Sequence, residues 1–225
     1  MSSVKVIGTS HISSESKTIL NQAFFEFQPD IIALELDLSR LQSLLTKPAT
    51  NSHNSLTLIK KIGFKSYLFY MIAKGLQNTF SKIVKTEPGV EMLEAVSIAR
   101  RYQKPILLVD QNISTTMKKL SKCLGIKFIW LVIKDFFRGI FKRRKVPFDI
   151  RKVPDEEIVK YLIKELEISY PCLYRVLVEE RNKYMAKKIA SFIGKNPDKK
   201  ILLVVGAGHK DGIIKLLRRK NIECA

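Results

Sequence analysis

Cysteine and histidine are scarce in this sequence of 225 residues, with three of each. The cysteines are an odd number, without close pairs or histidines at zinc-finger spacing, so we expect ordinary intracellular thiols. No stretch approaches the roughly 20 apolar residues of a membrane-spanning helix. The first apolar segment is preceded by neither a charged leader nor a long apolar stretch, which argues against a signal peptide. We therefore expect a cytoplasmic protein. The cysteines are Cys123, Cys172 and Cys224.

Motifs of several common enzyme classes are missing as well. The sequence contains neither a Gly-x-x-x-x-Gly-Lys loop nor a Gly-x-Ser-x-Gly elbow, which removes support for P-loop phosphoryl transfer and for serine esterase chemistry. Gly206-Ala207-Gly208 has the beginning of a dinucleotide-binding loop. It lacks the third glycine and the acid-bearing βαβ unit that should follow.

Acidic side chains are few, and none occurs in residues 38–86. Lys and Arg number 40 against 21 Asp and Glu, a formal charge of +19. Residues 118–152 hold twelve of these cations. The spacing of the cations in residues 125–145 predicts an apolar helix with one cationic stripe. Such a surface attracts phosphates, acidic proteins or anionic lipids. The 46% hydrophobic content nevertheless indicates a folded core.

Short apolar segments alternate with segments of helical periodicity along the chain. Because strand–helix–strand repeats favour parallel pairing, we predict the α/β class, with a largely parallel central sheet flanked by helices. We expect one domain over residues 1–225, with long helical insertions at about 52–85 and 112–175. The predicted strands are residues 4–7, 31–36, 105–109 and 201–205.

Two Gly-x-x-His turns follow the first and last predicted strands and end at His11 and His209. In a parallel sheet both turns lie at the carboxyl edge, where ligands bind. If the two strands are neighbours, both imidazoles are within reach of one metal ion, and histidine is the commonest metal ligand near neutral pH. The alternative is that both are capping or core histidines.

Glu35 ends an otherwise apolar strand, where a carboxylate is costly unless a cation, a metal or a hydrogen-bond donor meets it. We expect it on the same rim as the two turns. The alternative is a solvated sheet edge. Asp37 and Arg40 follow at helical spacing and are expected to cap the next helix.

Other candidate residues lie on predicted helices. Glu91 opens the helix before the third strand, either as a site residue or as an acid favoured by the helix dipole. Arg181 and Tyr184 are three residues apart, so they share a helix face and could bind an anionic oxygen. The alternative is that the charged block around them, which includes Glu180, is a solvated face, as most such blocks are. His53 lies in a polar loop and receives no role.

The order of these motifs resembles the TraB/PrgY pheromone-shutdown family over nearly the whole chain. This family is related to the Tiki metalloproteases and to erythromycin-esterase-like and ChaN-like proteins, which share an α/β core. The resemblance implies a metal-dependent hydrolase acting on peptides, with His11, Glu35 and His209 at the matching positions. Many relatives continue into C-terminal membrane spans, whereas this sequence stops soon after its last turn, so membrane embedding does not carry over. The matching segments are Gly8-Thr9-Ser10-His11, Glu35-Leu36-Asp37 with Arg40, Gly89-Val90-Glu91-Met92, Glu179-Glu180-Arg181-Asn182 to Met185-Ala186, and Gly206-Ala207-Gly208-His209.

The leading hypothesis is therefore a hydrolase that uses a divalent metal ion, manganese, cobalt or zinc, held by His11, Glu35 and His209. Glu91 or Glu180 would act as general base, and Arg181 would steady the oxyanion. A second hypothesis is a protein that sequesters a peptide or small signal without turnover. A third is a basic surface for nucleic acid or an anionic membrane. Large apolar residues between the cations disfavour nucleic acid and favour a packed helix or a homo-oligomer.

Overall fold

The apolar segments form a five-stranded sheet in which every pair of strands is parallel. The structure is a computed structural model and describes residues 3–9, 15–46, 89–123 and 155–224. Within these ranges eight α-helices surround the sheet, and a π-helical segment, Arg175–Glu179, joins the sixth to the seventh. The strands are β1 Ser3–Thr9, β2 Ile31–Leu34, β3 Ile106–Leu108, β4 Ile201–Gly206 and β5 Glu223–Cys224. The helices are α1 Glu15–Phe27, α2 Leu38–Leu45, α3 Val90–Arg101, α4 Ile113–Cys123, α5 Asp155–Ser169, α6 Pro171–Tyr174, α7 Glu180–Lys195 and α8 Ala207–Arg218.

The order of the strands is β3-β2-β4-β1-β5, so the last long strand lies between the first two. β4 is buried along its apolar length because it has a neighbour on each side and helices on both faces. Gly8 pairs with Val205 and Thr9 with Gly206, so the first and last Gly-x-x-His turns begin side by side. This confirms that their two strands are neighbours.

The alternating side chains of the strands feed two separate cores, because successive residues of a strand point to opposite faces. Ile201, Leu203 and Val205 of β4 pack with α7 and α8. Leu202 and Val204 pack on the other face, with α1 and α3. The result is a three-layer α/β/α arrangement, with the sheet between two layers of helices.

The predicted fold class is confirmed, and each of the four predicted strands is present with its ends within two residues of the prediction. β5 and α8 were not predicted. The predicted insertion at 52–85 and the basic helix at 125–145 lie outside the described residues. Of the insertion at 112–175, the described parts are helical: α4, α5 and α6. Among the described helices, none is both long and apolar enough to cross a membrane.

The expectation of three free thiols is corrected by the structure. Cys123 at the end of α4 and Cys172 in α6 form a disulfide, with 5.8 Å between their Cα atoms, and Cys224 is free. The two cysteines are 49 residues apart. Their pairing follows from helix packing, since Leu120, Leu173 and Val176 form a small core beside them. Sequence spacing alone carries no sign of this contact.

Reducing the disulfide should lower the free energy of unfolding by about 2–4 kcal/mol, because a loop of this length restricts the unfolded chain. Urea unfolding with and without dithiothreitol measures the difference. The loss should persist in Cys224→Ser, which removes the free thiol, and vanish in Cys123→Ser with Cys172→Ser. Titration of three free thiols in the denatured, unreduced protein would contradict the pairing.

Candidate functional site

Three buried polar side chains lie at the carboxyl edge of the sheet, one after each of three neighbouring strands. Glu35 follows β2, Asp110 follows β3, and His209 lies in the first turn of α8 after β4. β2 is the neighbour of both β3 and β4, so the three side chains converge on one place. Burying them is tolerable only if each finds a partner.

Arg181 of α7 is that partner, and its side chain is only 13% exposed. Nε and Nη2 donate to the two oxygens of Asp110 at 3.1 and 2.7 Å, and Nη2 also donates to Glu35 Oε1. Nη1 donates to the Leu177 carbonyl at 3.3 Å and to His209 Nε2 at 3.0 Å. A guanidinium has five N–H groups. All five of Arg181 are therefore used in this arrangement.

The tautomer of His209 follows from its two neighbours. Arg181 can only donate, so Nε2 of His209 must be the acceptor and Nδ1 must carry the proton. That proton is donated to Asn182 Oδ1, 2.7 Å away. Burial lowers the pKa of His209 below its ordinary value, and Arg181 acts in the same direction against Glu35. The imidazole is therefore neutral near pH 7.

The contact between Asn182 and His209 depends on Gly212 in α8. A Cβ at position 212 would collide with the amide nitrogen of Asn182. The missing side chain lets α8 approach α7 closely enough for the amide to reach the imidazole. A carboxyl or carbonyl oxygen on the second nitrogen of a histidine is the arrangement that orients metal-binding histidines in proteins.

Glu35 is held in its charged form by groups around both of its oxygens. Oε2 accepts the backbone N–H of Gly206 at 2.7 Å, at the N-terminus of α8, and Oε1 accepts from Arg181. Burial by itself would raise the pKa of Glu35. At acid pH, where His209 takes up a proton, its positive charge acts together with that of Arg181 and with the Gly206 hydrogen bond, and these lower the pKa of Glu35 overall. The predicted need of this carboxylate for a partner is confirmed.

Asp37 and Arg40 connect the site to two helix ends. Asp37 accepts the N–H groups of Ser39 and Arg40 in α2 and that of Ile113 in α4, which confirms its predicted capping role. Burial would raise the pKa of Asp37, but the hydroxyl of Ser39, which also donates to this carboxylate, and the three backbone N–H groups lower it. Arg40 Nη1 lies 3.4 Å from Asp110 Oδ2 and remains 44% exposed. A second guanidinium thus contacts the carboxylate that holds Arg181.

Arg181 lies two residues after the π-helical segment, in the helical run that starts at Pro171. Glu180 donates its N–H to the carbonyl of Arg175, five residues earlier, which widens the helix there. The Leu177 carbonyl in this segment accepts from the Arg181 side chain. Single π-turns within α-helices occur frequently at functional sites.

Four further residues were predicted to belong to the site: His11, Glu91, Glu180 and Tyr184. His11 lies outside the described residues. Glu91 is buried in the first turn of α3, whose N-terminus is at the carboxyl edge of the sheet. Glu180 instead forms ion pairs with Lys119 at 2.7 Å and Arg175 at 3.8 Å. Tyr184 is 41% exposed, with Lys188 over its ring.

Two residues of the network were not predicted. Asp110 follows the apolar strand β3 in the same way as Glu35 follows β2, so the rule that identified Glu35 applies equally to it. Asn182 is buried on the stripe of α7 that carries Met185, Ala186 and Ile189. A polar residue within an apolar helical stripe was the available signal for Asn182.

The atoms of Glu35 and His209 that face each other are suitable donors for a divalent cation. Glu35 Oε1 and His209 Nε2 are 3.4 Å apart, which is about the separation of two ligand atoms on a tetrahedral ion with bonds of about 2.1 Å. Within residues 3–9, 15–46, 89–123 and 155–224, no group of three or more His, Cys, Asp or Glu is arranged around such a point. The third expected ligand, His11, falls outside these ranges.

The fold and the site define an α/β protein with a buried carboxylate–guanidinium–imidazole network at the carboxyl edge of a parallel sheet. The sequence profile of the TraB/PrgY/gumN family matches residues 144–225. An uncharacterized protein of Methanocaldococcus jannaschii is 31% identical over 223 residues, which cover 96% of this chain. TraB domain-containing proteins of Bos taurus and Homo sapiens are 24% and 23% identical over 237 residues, which cover 95% of it.

The chain belongs to the TraB/PrgY/gumN family. It spans 53% of the length of the archaeal relative and 62% of that of the two mammalian ones.

Replacing Asp110 by Asn should lower the free energy of unfolding by about 3–5 kcal/mol, since it removes one partner of a buried charge and leaves Arg181 incompletely paired. Urea unfolding at pH 7 gives the value. Asp211→Asn is the matched control, because the Asp211 side chain is 67% exposed and should lose little. Equal losses of unfolding free energy in the two variants would show that the buried contact stabilises the protein no more than a surface ion pair does.

Stability should fall as the pH drops below the ordinary value of 6.5 for His209. A histidine whose pKa is lowered by folding binds its proton less readily when folded, so its contribution is complete above 6.5 and is lost below it. The slope approaches about 1.4 kcal/mol per pH unit for one proton. The lowered pKa values of Glu35 and Asp37 extend the loss to more acidic pH.

Urea unfolding between pH 7.5 and 5.5 tests this dependence. In His209→Gln the slope between pH 6.5 and 5.5 should be smaller than in the unaltered protein, while His53→Gln should leave it unchanged. An unchanged slope in His209→Gln would refute the assignment.

Proposed function

We propose that the chain is a divalent-metal-dependent hydrolase acting on peptides, with the ion held by Glu35, His209 and His11. The observation that carries the proposal is the pair of donor atoms on Glu35 and His209, 3.4 Å apart at the carboxyl edge of the sheet. The family to which the chain belongs, and the relation of that family to the Tiki metalloproteases, support the choice of reaction.

The protonation state of His209 favours binding of a metal ion. A metal-binding imidazole must present an unprotonated nitrogen, and the hydrogen bond to Asn182 leaves Nε2 in that form. The same bond fixes the ring orientation, and loss of such an outer contact typically weakens metal binding about 10–100-fold. Because burial keeps the pKa of His209 low, the nitrogen stays available at neutral pH.

A divalent ion bound here would polarise a carbonyl oxygen and make bound water more acidic. The chain's own residues would do the rest. Leu36 and Val109, the neighbours of Glu35 and Asp110 in the chain, are fully buried. We assign the general base to Glu91, which is buried in the first turn of α3, at the carboxyl edge of the sheet. Arg181 would contact the substrate oxygen after releasing one of its present acceptors.

Metal analysis of the purified chain and of its variants tests the proposal. After incubation with Mn²⁺, Co²⁺ or Zn²⁺ and removal of free ion, the unaltered protein should retain about one ion per chain and cleave members of a mixed peptide library, followed by mass spectrometry. His209→Ala, Glu35→Gln and His11→Ala should each lose both properties, with affinity reduced about 100-fold or more.

His53→Ala serves as the matched control, since it removes a histidine to which no role is assigned. It should retain ion and activity. If the unaltered protein and His209→Ala hold the same negligible amount of metal and cleave nothing, the proposal is wrong. Saturable peptide binding without any product would instead identify the chain as a sequestering protein.

A further inference from the structure

Arg181 contacts the same two atoms that the proposed function assigns to a metal ion. Its Nη2 donates to Glu35 Oε1, and its Nη1 donates to His209 Nε2 at 3.0 Å. The guanidinium is therefore the cation that these donors hold in the present arrangement. Burial would lower the pKa of Arg181, but Glu35 and Asp110 raise it above its ordinary value, so it carries its charge at every relevant pH.

The two uses of His209 exclude each other. A neutral imidazole has one nitrogen with a lone pair, which here is Nε2, because Nδ1 carries the proton donated to Asn182. That lone pair can accept a hydrogen bond from Arg181 or bind a metal ion, but it cannot do both. Glu35 differs, since a carboxylate oxygen has more than one lone pair and can keep a second partner.

The remaining contacts of Arg181 show where its guanidinium stays when a metal ion binds Nε2 of His209. Nε and Nη2 are held by both oxygens of Asp110, a paired geometry that anchors the guanidinium independently of His209. Asp110 is itself fixed by the N–H of Gln111 at 2.8 Å and lies next to Arg40. Loss of the His209 contact therefore frees one N–H of Nη1 without releasing the side chain.

We propose that Arg181 and a divalent cation compete for Nε2 of His209, and that cation binding frees one Arg181 donor for an oxygen of the substrate. The inference rests on the proposed function. It assigns Arg181 two successive roles: it satisfies the buried donors when no ion is bound, and it presents a hydrogen-bond donor to the substrate only after the ion has entered. The site thus couples substrate contact to the presence of the ion.

The affinity of Arg181→Ala for Mn²⁺ and Zn²⁺, measured by isothermal titration calorimetry, tests the competition. Removing the competitor should raise the affinity at least about tenfold, the size of a modest coupling between two ligands. Arg40→Ala is the matched control. It also removes a guanidinium next to Asp110, but one without a contact to His209, so a gain of less than about threefold is expected.

A second test of the competition uses guanidinium ion in solution. At millimolar concentration it should occupy the space left in Arg181→Ala and lower the affinity for the metal ion towards that of the unaltered protein, whereas urea, which is uncharged, should not. An equal gain in Arg40→Ala would attribute the effect to overall charge and overturn the competition. So would a folded Arg181→Ala variant that binds no ion, or binds it no more tightly than the unaltered protein.

A measurement on the unaltered protein covers the case in which Arg181→Ala does not fold. In nitrogen NMR, titration with Zn²⁺ should shift His209 Nε2 and the Nη1 signal of Arg181 together, while the Nε–H signal bonded to Asp110 persists. A shift of His209 with unchanged Nη1 would overturn the inference and leave the proposed hydrolase intact. If the unaltered protein takes up no ion and cleaves nothing, the proposed function fails, whatever Arg181→Ala binds.

Discussion

The buried guanidinium of Arg181 between Glu35 and Asp110 is the interaction on which the arrangement of this edge depends. Two carboxylates side by side without a cation would repel each other, and one of them would have to take up a proton. Arg181 and Arg40 supply two positive charges against the two negative ones. The cluster is therefore close to neutral, which limits the large cost of removing charges from water.

This ion-pair network also joins the layers of the fold. Glu35 and Asp110 extend from neighbouring strands, Arg181 belongs to α7, and His209 belongs to α8. The π-helical turn before Arg181 and the disulfide at Cys172 lie on the same helical run. Contacts that fix this run, including those of α4 through the disulfide, consequently act on the position of the guanidinium.

The sequence was sufficient to predict those parts of the site that depend on local pattern. Strand–helix alternation predicted the parallel sheet, and a carboxylate at the end of an apolar strand predicted the buried Glu35. Two features could not be predicted because they depend on contacts distant in sequence. The insertion of β4 between β1 and β2 unites residues far apart along the chain, and the five acceptors of Arg181 come from four segments. Periodicity placed Arg181 and Tyr184 on one helix face, yet three-residue spacing left enough angular difference for one to be buried and the other exposed.

The two nitrogens of His209 differ in how firmly they are held. Nδ1 faces Asn182, and Asn182 reaches it because Gly212 leaves room between two packed helices. Both helices belong to the main core with Met185, Ile189 and Ile213, which keeps α7 and α8 at the distance that this contact needs. Nε2 faces the side chains of Arg181 and Glu35, and Arg181 has other acceptors that hold it, so exchanging this partner leaves the helices in place. The packing therefore fixes the tautomer while allowing the nature of the cation at Nε2 to vary, and this division permits a change of ligand at the site without a change of fold.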